Sequence, residues 1–167
     1  MPRRRYFKRT HQKDKYSIEH TVFNTPASGD WDEVPATSTA AASQQIDFPI
    51  LPPTETQGMR KVKHFTASFF CSDDTSPVAY AIVYVPEGYQ VNPVRLPAGG
   101  NAVELYEPNQ FVISSGILDF SGGPLRIRSP LSRNLNSGDS IHLVLATYQG
   151  VDATTVLSEI TYAITLQ

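Results

Sequence analysis

The chain has 167 residues, with 14 Lys and Arg against 16 Asp and Glu, and a net charge of −2. Residues 1–15 hold seven basic residues and one acid, a net +6, which leaves seven basic and fifteen acidic residues, a net −8, for the rest. This asymmetry indicates a polyanionic partner for the basic segment. A single cysteine and the lack of a roughly 20-residue apolar run exclude an internal disulfide framework, a cysteine-based zinc site and a helical membrane span.

Polar and apolar residues alternate with a period of two along most of the chain, and thirteen prolines and ten glycines interrupt it. This pattern is typical of short β-strands rather than helices. Eight strands are predicted, over Tyr16–Phe23, Gln45–Leu51, Arg60–Cys71, Val78–Val85, Phe111–Leu118, Leu125–Ser129, Ser140–Tyr148 and Val156–Leu166.

Alternation also predicts which way side chains face. In the first strand Ile18, His20 and Val22 share an apolar face, on which His20 is expected to be a hydrogen-bonded structural histidine. The fourth strand is apolar on both faces and is therefore predicted to be central and covered. In the third strand four apolar residues oppose a polar set. The apolar residues are Phe65, Ala67, Phe69 and Cys71, and the polar ones are Arg60, His64, Thr66 and Ser68.

The longest connection is Pro86–Gln110, which contains four prolines. A connection of this length in a compact domain is usually functional, so we expect a surface loop available for contacts. Eight strands with uneven, long connections fit three all-β architectures: a jelly roll, an immunoglobulin-like sandwich or an up-and-down barrel. Uneven spacing disfavours the barrel, and the missing Cys…Trp…Cys pattern disfavours the immunoglobulin fold, so the jelly roll is favoured.

Four strings in the sequence are more specific than a short motif: YVPEG from Tyr84, LYEPNQ from Leu105, GPLRIR from Gly123 and RNLNSGD from Arg133. With them, the region from Lys61 to Leu166 resembles the capsid proteins of circovirus-like, circular Rep-encoding single-stranded DNA viruses. The resemblance implies a single eight-stranded jelly roll in residues 16–167, with a short basic N-terminal arm in residues 1–15. Lettered B to I in chain order, the strands would pair as sheets BIDG and CHEF.

The same resemblance implies a structural protein, not an enzyme, that self-assembles into an icosahedral shell around single-stranded DNA. Sixty copies (T=1) form the simplest closed arrangement. We expect the arm to contact DNA independently of sequence, with Tyr6 and Phe7 stacking on bases, and to serve as a nuclear localisation signal. Its contact residues would be Arg3, Arg4, Arg5, Tyr6, Phe7, Lys8, Arg9, Lys13 and Lys15. The protein is then expected in the virion, and in the host nucleus during assembly.

Basic residues outside the arm cluster on strands D and G, which are neighbours in sheet BIDG. We therefore predict a cationic strip that faces the shell interior and binds nucleic acid. It would contain Arg60, Lys61, Lys63, Arg126, Arg128 and Arg133. The predicted subunit contacts lie in the long loop, at Tyr89, Val91, Val94 and Leu96.

Other chemistry is weakly indicated. The run Asp30-Trp31-Asp32-Glu33 permits a calcium site, but a solvated acidic loop with Trp31 anchored on a neighbour is favoured. No cofactor or metal is expected, and no catalytic motif is present. Two alternatives stay open: a non-viral, lectin-like jelly-roll binding module with a basic tail, and a glycosidase on a β-sandwich, which would need two facing carboxylates.

Overall fold

The computed structural model describes residues 16–25, 31–55, 58–71, 77–100, 111–122, 124–149 and 155–166. The predicted arm, residues 1–15, lies outside them. The described residues form nine β-strands and one short 3-10 turn, Phe120–Gly122. The strands are β1 (Ser17–Asn24), β2 (Asp32–Val34), β3 (Ser43–Leu51), β4 (Arg60–Cys71), β5 (Val78–Val85), β6 (Phe111–Leu118), β7 (Leu125–Leu135), β8 (Ser140–Tyr148) and β9 (Val156–Leu166).

The strands form two antiparallel sheets packed as a β-sandwich. One sheet has the order β1-β9-β4-β7, and the other has the order β2-β3-β8-β5-β6. All eight predicted strands are present, and β2 is an additional short strand in a segment that the sequence had indicated as a connection. The described part of the chain contains no helix long and apolar enough to cross a membrane.

The main core lies between the two sheets, where alternate residues of facing strands meet. Phe65 and Phe69 of β4, Leu143 and Leu145 of β8, and Ile160 of β9 are fully buried there. Each such side chain contributes about 1.5–3 kcal/mol by leaving water. Cys71 belongs to this core and is 9% exposed, in line with its place among the apolar residues of its strand.

The fourth predicted strand, β5, is covered on both faces, as its sequence indicated. It lies between β8 and β6, and Tyr80 and Ile82 point into the main core. On its other face Val83 packs in a second apolar cluster with Val94 of the connecting segment 86–100. This segment therefore forms a cover over the five-stranded sheet.

Three of the four residues predicted to bind neighbouring subunits belong to that cover. Val94 and Leu96 are buried within the chain, and Val91 packs against the second cluster. Apolar side chains of this proline-rich segment cover the apolar outer face of the five-stranded sheet. Tyr89, the fourth candidate, is 53% exposed and stays available for contact.

The predicted apolar face of the first strand points outward. Ile18 is 67% exposed and Val22 is 62% exposed, while Phe23 on the opposite face stacks on Phe48 of β3. β1 is an edge strand, and its Phe23 packs against the main core together with Phe48. The side chains of Ile18 and Val22 are exposed on the outer face of β1.

A β-bulge at His64 reverses the facing of the first half of β4. His64 has φ of +59°, and the pairing with β7 shifts between Lys63 and Phe65. The extra residue places Arg60 on the core side, together with Phe65, and places Lys63 on the outer side. The predicted placement of Arg60 on the polar face of this strand is therefore wrong.

Candidate nucleic-acid interface

The outer face of the four-stranded sheet carries four basic residues on two adjacent strands. Arg126 and Arg128 of β7 pair with Ser68 and Thr66 of β4, so they share the outer face of that strand pair. Both arginines are exposed, and Leu125 and Ile127, which alternate with them, pack on the core. The bulge brings Lys61 and Lys63 of β4 to the same outer face.

This cationic face, defined as Lys61, Lys63, Arg126 and Arg128, is electrostatically unpaired. Within the described residues, none of the four lies within 4.0 Å of a carboxylate oxygen. Among the described residues, Glu159 of β9 lies on the same face and contacts the ring of His20 at 3.5 Å. His20 also hydrogen-bonds the hydroxyl of Thr161 at 3.1 Å, although its side chain is largely exposed. The face therefore presents a net positive charge to solvent.

The start of β1 leads onto this face. The Lys63 ammonium lies 3.5 Å from the centroid of the Tyr16 ring, a cation–π contact. Tyr16 is the first described residue, so the chain joins the basic segment 1–15 to the sheet beside Lys63. The basic segment is thus joined in sequence to Tyr16, which contacts the cationic face at Lys63.

Arg60, in contrast, is a buried structural residue. It is 6% exposed, and its guanidinium donates to the carbonyl of Asp139 at 3.0 Å and to the carbonyl of Pro52 at 3.4 Å. Three chain segments meet at this group, so its role is to close one end of the sandwich. It does not contribute to the predicted cationic strip.

Asp139 organises the same end of the sandwich. Its carboxylate accepts hydrogen bonds from the Tyr84 hydroxyl at 2.8 Å, the Asn136 N–H at 2.7 Å and the Glu87 N–H at 3.1 Å. Burial raises the pKa of Tyr84 to about 12, and the hydrogen bond and negative charge of Asp139 add to this shift. Arg133 opposes it.

Arg133 also lies away from the cationic face. It belongs to β7 itself, pairs with the buried Val62, and places its guanidinium 5.4 Å from the ring centroid of Phe111. It lines a groove of about 430 Å3 at the edge of the sandwich. The predicted strip is thus divided into a flat cationic face and a separate edge groove.

A polar chain on the other sheet was not anticipated from the sequence. His142 Nδ1 is 3.0 Å from Asp47 Oδ2, and His142 Nε2 is 3.1 Å from Ser140 Oγ. The order Ser–His–Asp resembles a nucleophilic triad, but a triad needs free backbone donors for an oxyanion. Asp47, Ser140 and His142 line a second groove. Two backbone N–H groups of that groove, those of Tyr89 and Gly138, donate to protein carbonyls. We interpret these side-chain hydrogen bonds of Asp47, His142 and Ser140 as a structural link between β3 and β8.

The acidic run at residues 30–33 gives no metal site in the described part of the chain. Asp32 and Glu33 are exposed on β2, and no group of three or more His, Cys, Asp or Glu side chains comes together among the described residues. Trp31 packs against the main core, as predicted. Asp30 lies outside the described residues.

The chain matches no protein-family model and no curated protein.

Proposed function

We propose that the chain is a viral capsid protein that builds a closed shell and holds single-stranded DNA on its inner surface. The observation that carries this proposal is the unpaired cationic face, joined at Tyr16 to a segment of net charge +6. Clustered, unpaired basic side chains bind phosphates and release counterions. The cationic face offers no arrangement for reading base edges, so binding would be independent of sequence.

The strand order supports a jelly roll as the fold of this capsid domain. With β1 as strand B and β3 to β9 as strands C to I, the two sheets read B-I-D-G and C-H-E-F. The short strand β2 extends the second sheet beside strand C. The sequence resemblance to circovirus-like capsid proteins supports the same assignment.

The distribution of surface features supports an inward orientation of the four-stranded sheet. Its outer face carries the cations and the Tyr16 ring that follows the basic segment in sequence, whereas segment 86–100 covers the other sheet. We propose that the first sheet faces the genome and the covered sheet faces the outside. Sixty arms of +6 would then place about 360 positive charges inside the shell.

The test is expression of the full chain and of a variant lacking residues 2–9. Size-exclusion chromatography with negative-stain microscopy should show uniform spherical particles in both cases. Nuclease-protected nucleic acid should be present in the full-length particles and strongly reduced in the variant. A small oligomer with no particles would favour the lectin-like alternative, and unchanged packaging in the variant would reject the role of the arm.

A further inference from the structure

We infer that the edge groove at Arg133 and Phe111 is a nucleotide pocket that takes one unpaired base of the bound strand. The inference rests on the proposed function, because it names a second, base-stacking site beside the cationic face. The groove is lined by Lys61, Tyr84, Phe111, Ser132, Arg133 and Asn134. Its volume of about 430 Å3 is within the range of small-molecule sites.

The walls of the groove come from both sheets, and two of the contributing strands, β6 and β7, are edge strands. β7 contributes Arg133, β6 contributes Phe111 and β5 contributes Tyr84. The hydroxyl of Ser129 donates to the carbonyl of Ile113 at 3.2 Å, which ties β7 to β6 across the sandwich edge. The two walls are therefore held at a fixed separation before any ligand arrives.

The aromatic part of the groove is preorganised for stacking. The Phe111 and Tyr84 rings lie 5.6 Å apart between centroids, and Asp139 holds the Tyr84 hydroxyl at 2.8 Å. Phe111 is nonetheless 37% exposed, and the Arg133 guanidinium lies over its ring at 5.4 Å. Aromatic rings and guanidinium planes are the surfaces on which proteins stack unpaired bases.

The charges of the groove fit the phosphate of the same nucleotide. Neither Lys61 nor Arg133 forms an ion pair within the described residues, and the buried Nε of Arg133 has no hydrogen-bond partner there. Asp139, which contacts the Tyr84 wall of the groove, is 4% exposed and is already bound to Tyr84 and two backbone N–H groups. Among the described residues, no carboxylate therefore neutralises the positive charge of Lys61 and Arg133 at the groove.

Lys61 connects the groove to the cationic face, since it belongs to both. A single strand lying on the face can keep its phosphates on Lys61 and Lys63 and turn one base into the groove. Every base has a π-face, so the pocket adds affinity for bases without selecting a sequence. The ligand class is therefore single-stranded nucleic acid with intact bases, not a bare polyanion.

The experiment measures the affinity of the full-length protein for two oligonucleotides with the same number of phosphates, a thymidine 12-mer and an abasic 12-mer. The wild type should bind the thymidine strand more tightly. Two variants are compared: Phe111→Leu keeps an apolar side chain, and Arg133→Lys keeps the charge. Each should lower the affinity for the thymidine 12-mer by about five-fold or more and leave the affinity for the abasic 12-mer unchanged. Ile117→Ala, an exposed site at the far end of β6, is the control and should change neither affinity.

The outcomes separate this inference from the proposed function. Equal wild-type affinity for both strands, or an equal loss on both in the variants, would mean a phosphate contact only and would overturn the pocket while leaving DNA binding intact. Absence of binding to either strand would overturn both. Thermal denaturation checks folding, and if Phe111→Leu does not fold, Arg133→Lys decides the question alone.

Discussion

Replacing Arg126 and Arg128 by glutamine should weaken binding to single-stranded DNA by a calculable amount. Both side chains are exposed on the outer face of β7 and lack a carboxylate partner in the described residues, so each is free to contact one phosphate. Each phosphate contact to a single strand contributes about 0.7 to the slope of log K against log salt. The slope of log K against log salt should therefore become smaller by about 1.4 in the double variant. If the two proteins bind equally at about 1 M salt, the affinity of the double variant at about 0.15 M salt should be lower by about fourteen-fold.

The assay is fluorescence anisotropy of a labelled thymidine oligonucleotide between 0.05 and 0.3 M NaCl, roughly the range over which counterion release dominates. Protein is kept at concentrations where light scattering shows no particles. Arg95→Gln is the matched control, because it removes one positive charge from segment 86–100, over the other sheet. Its slope should equal that of the wild type. An unchanged slope in the double variant, or the same loss per charge in the control, would refute a localised cationic face.

Three further predictions concern the end of the sandwich around Asp139, and thermal or urea denaturation measures the first two. Gly138 has φ of +80°, and a Cβ there would meet the Glu87 side chain, so Gly138→Ala should destabilise the fold by about 1–3 kcal/mol; an unchanged midpoint would contradict this. Asp139→Ala leaves three donors without their acceptor and should cost about 2–4 kcal/mol, against little change for the exposed control Glu55→Ala. Because the pKa of Tyr84 is raised to about 12 in the folded state and is about 10 in the unfolded chain, the folded state retains this proton longer. Its contribution to stability is complete below about pH 10 and is lost as the pH rises to about 12, and Tyr84→Phe should remove that part of the alkaline pH dependence.

Strand positions could be predicted from the sequence because buried strands have a strong period-two or two-sided apolar signal. The two-sided pattern of β5 correctly indicated a central strand, and in β7 the exposed Arg126 and Arg128 alternate with Leu125 and Ile127, which pack on the core. The signal is weaker at edges. In β1 the apolar residues Ile18 and Val22 face outward, while Phe23 on the opposite face stacks on Phe48 of β3.

The candidate site was only partly predictable because one residue changes the facing of several others. The bulge at His64 exchanges Arg60 and Lys63 between the two faces of β4, and a strict period of two cannot anticipate it. The edge groove depends on two strands of different sheets, which bring Phe111 and Arg133 together across 22 positions of sequence. A contact of that kind leaves no periodic signal in either strand.

The burial of Val94 and Leu96 has a different cause. An apolar residue in a long proline-rich connection indicates burial against something, and the sequence does not say whether the surface belongs to the same chain. Here the outer face of β5 and β8 is apolar, with Val83 and Val144 fully buried under the connection. Val94 and Leu96 therefore pack on their own sheet, while Tyr89 remains exposed.

Cryo-electron microscopy of particles assembled from the full chain tests the proposed capsid role most directly. We predict a closed icosahedral shell in which Lys61, Lys63, Arg126 and Arg128 line the interior and Tyr16 leads inward. Density for nucleic acid should lie against that face. A chain that forms no closed particle, or a shell that presents these four residues on its outer surface, would contradict the proposal.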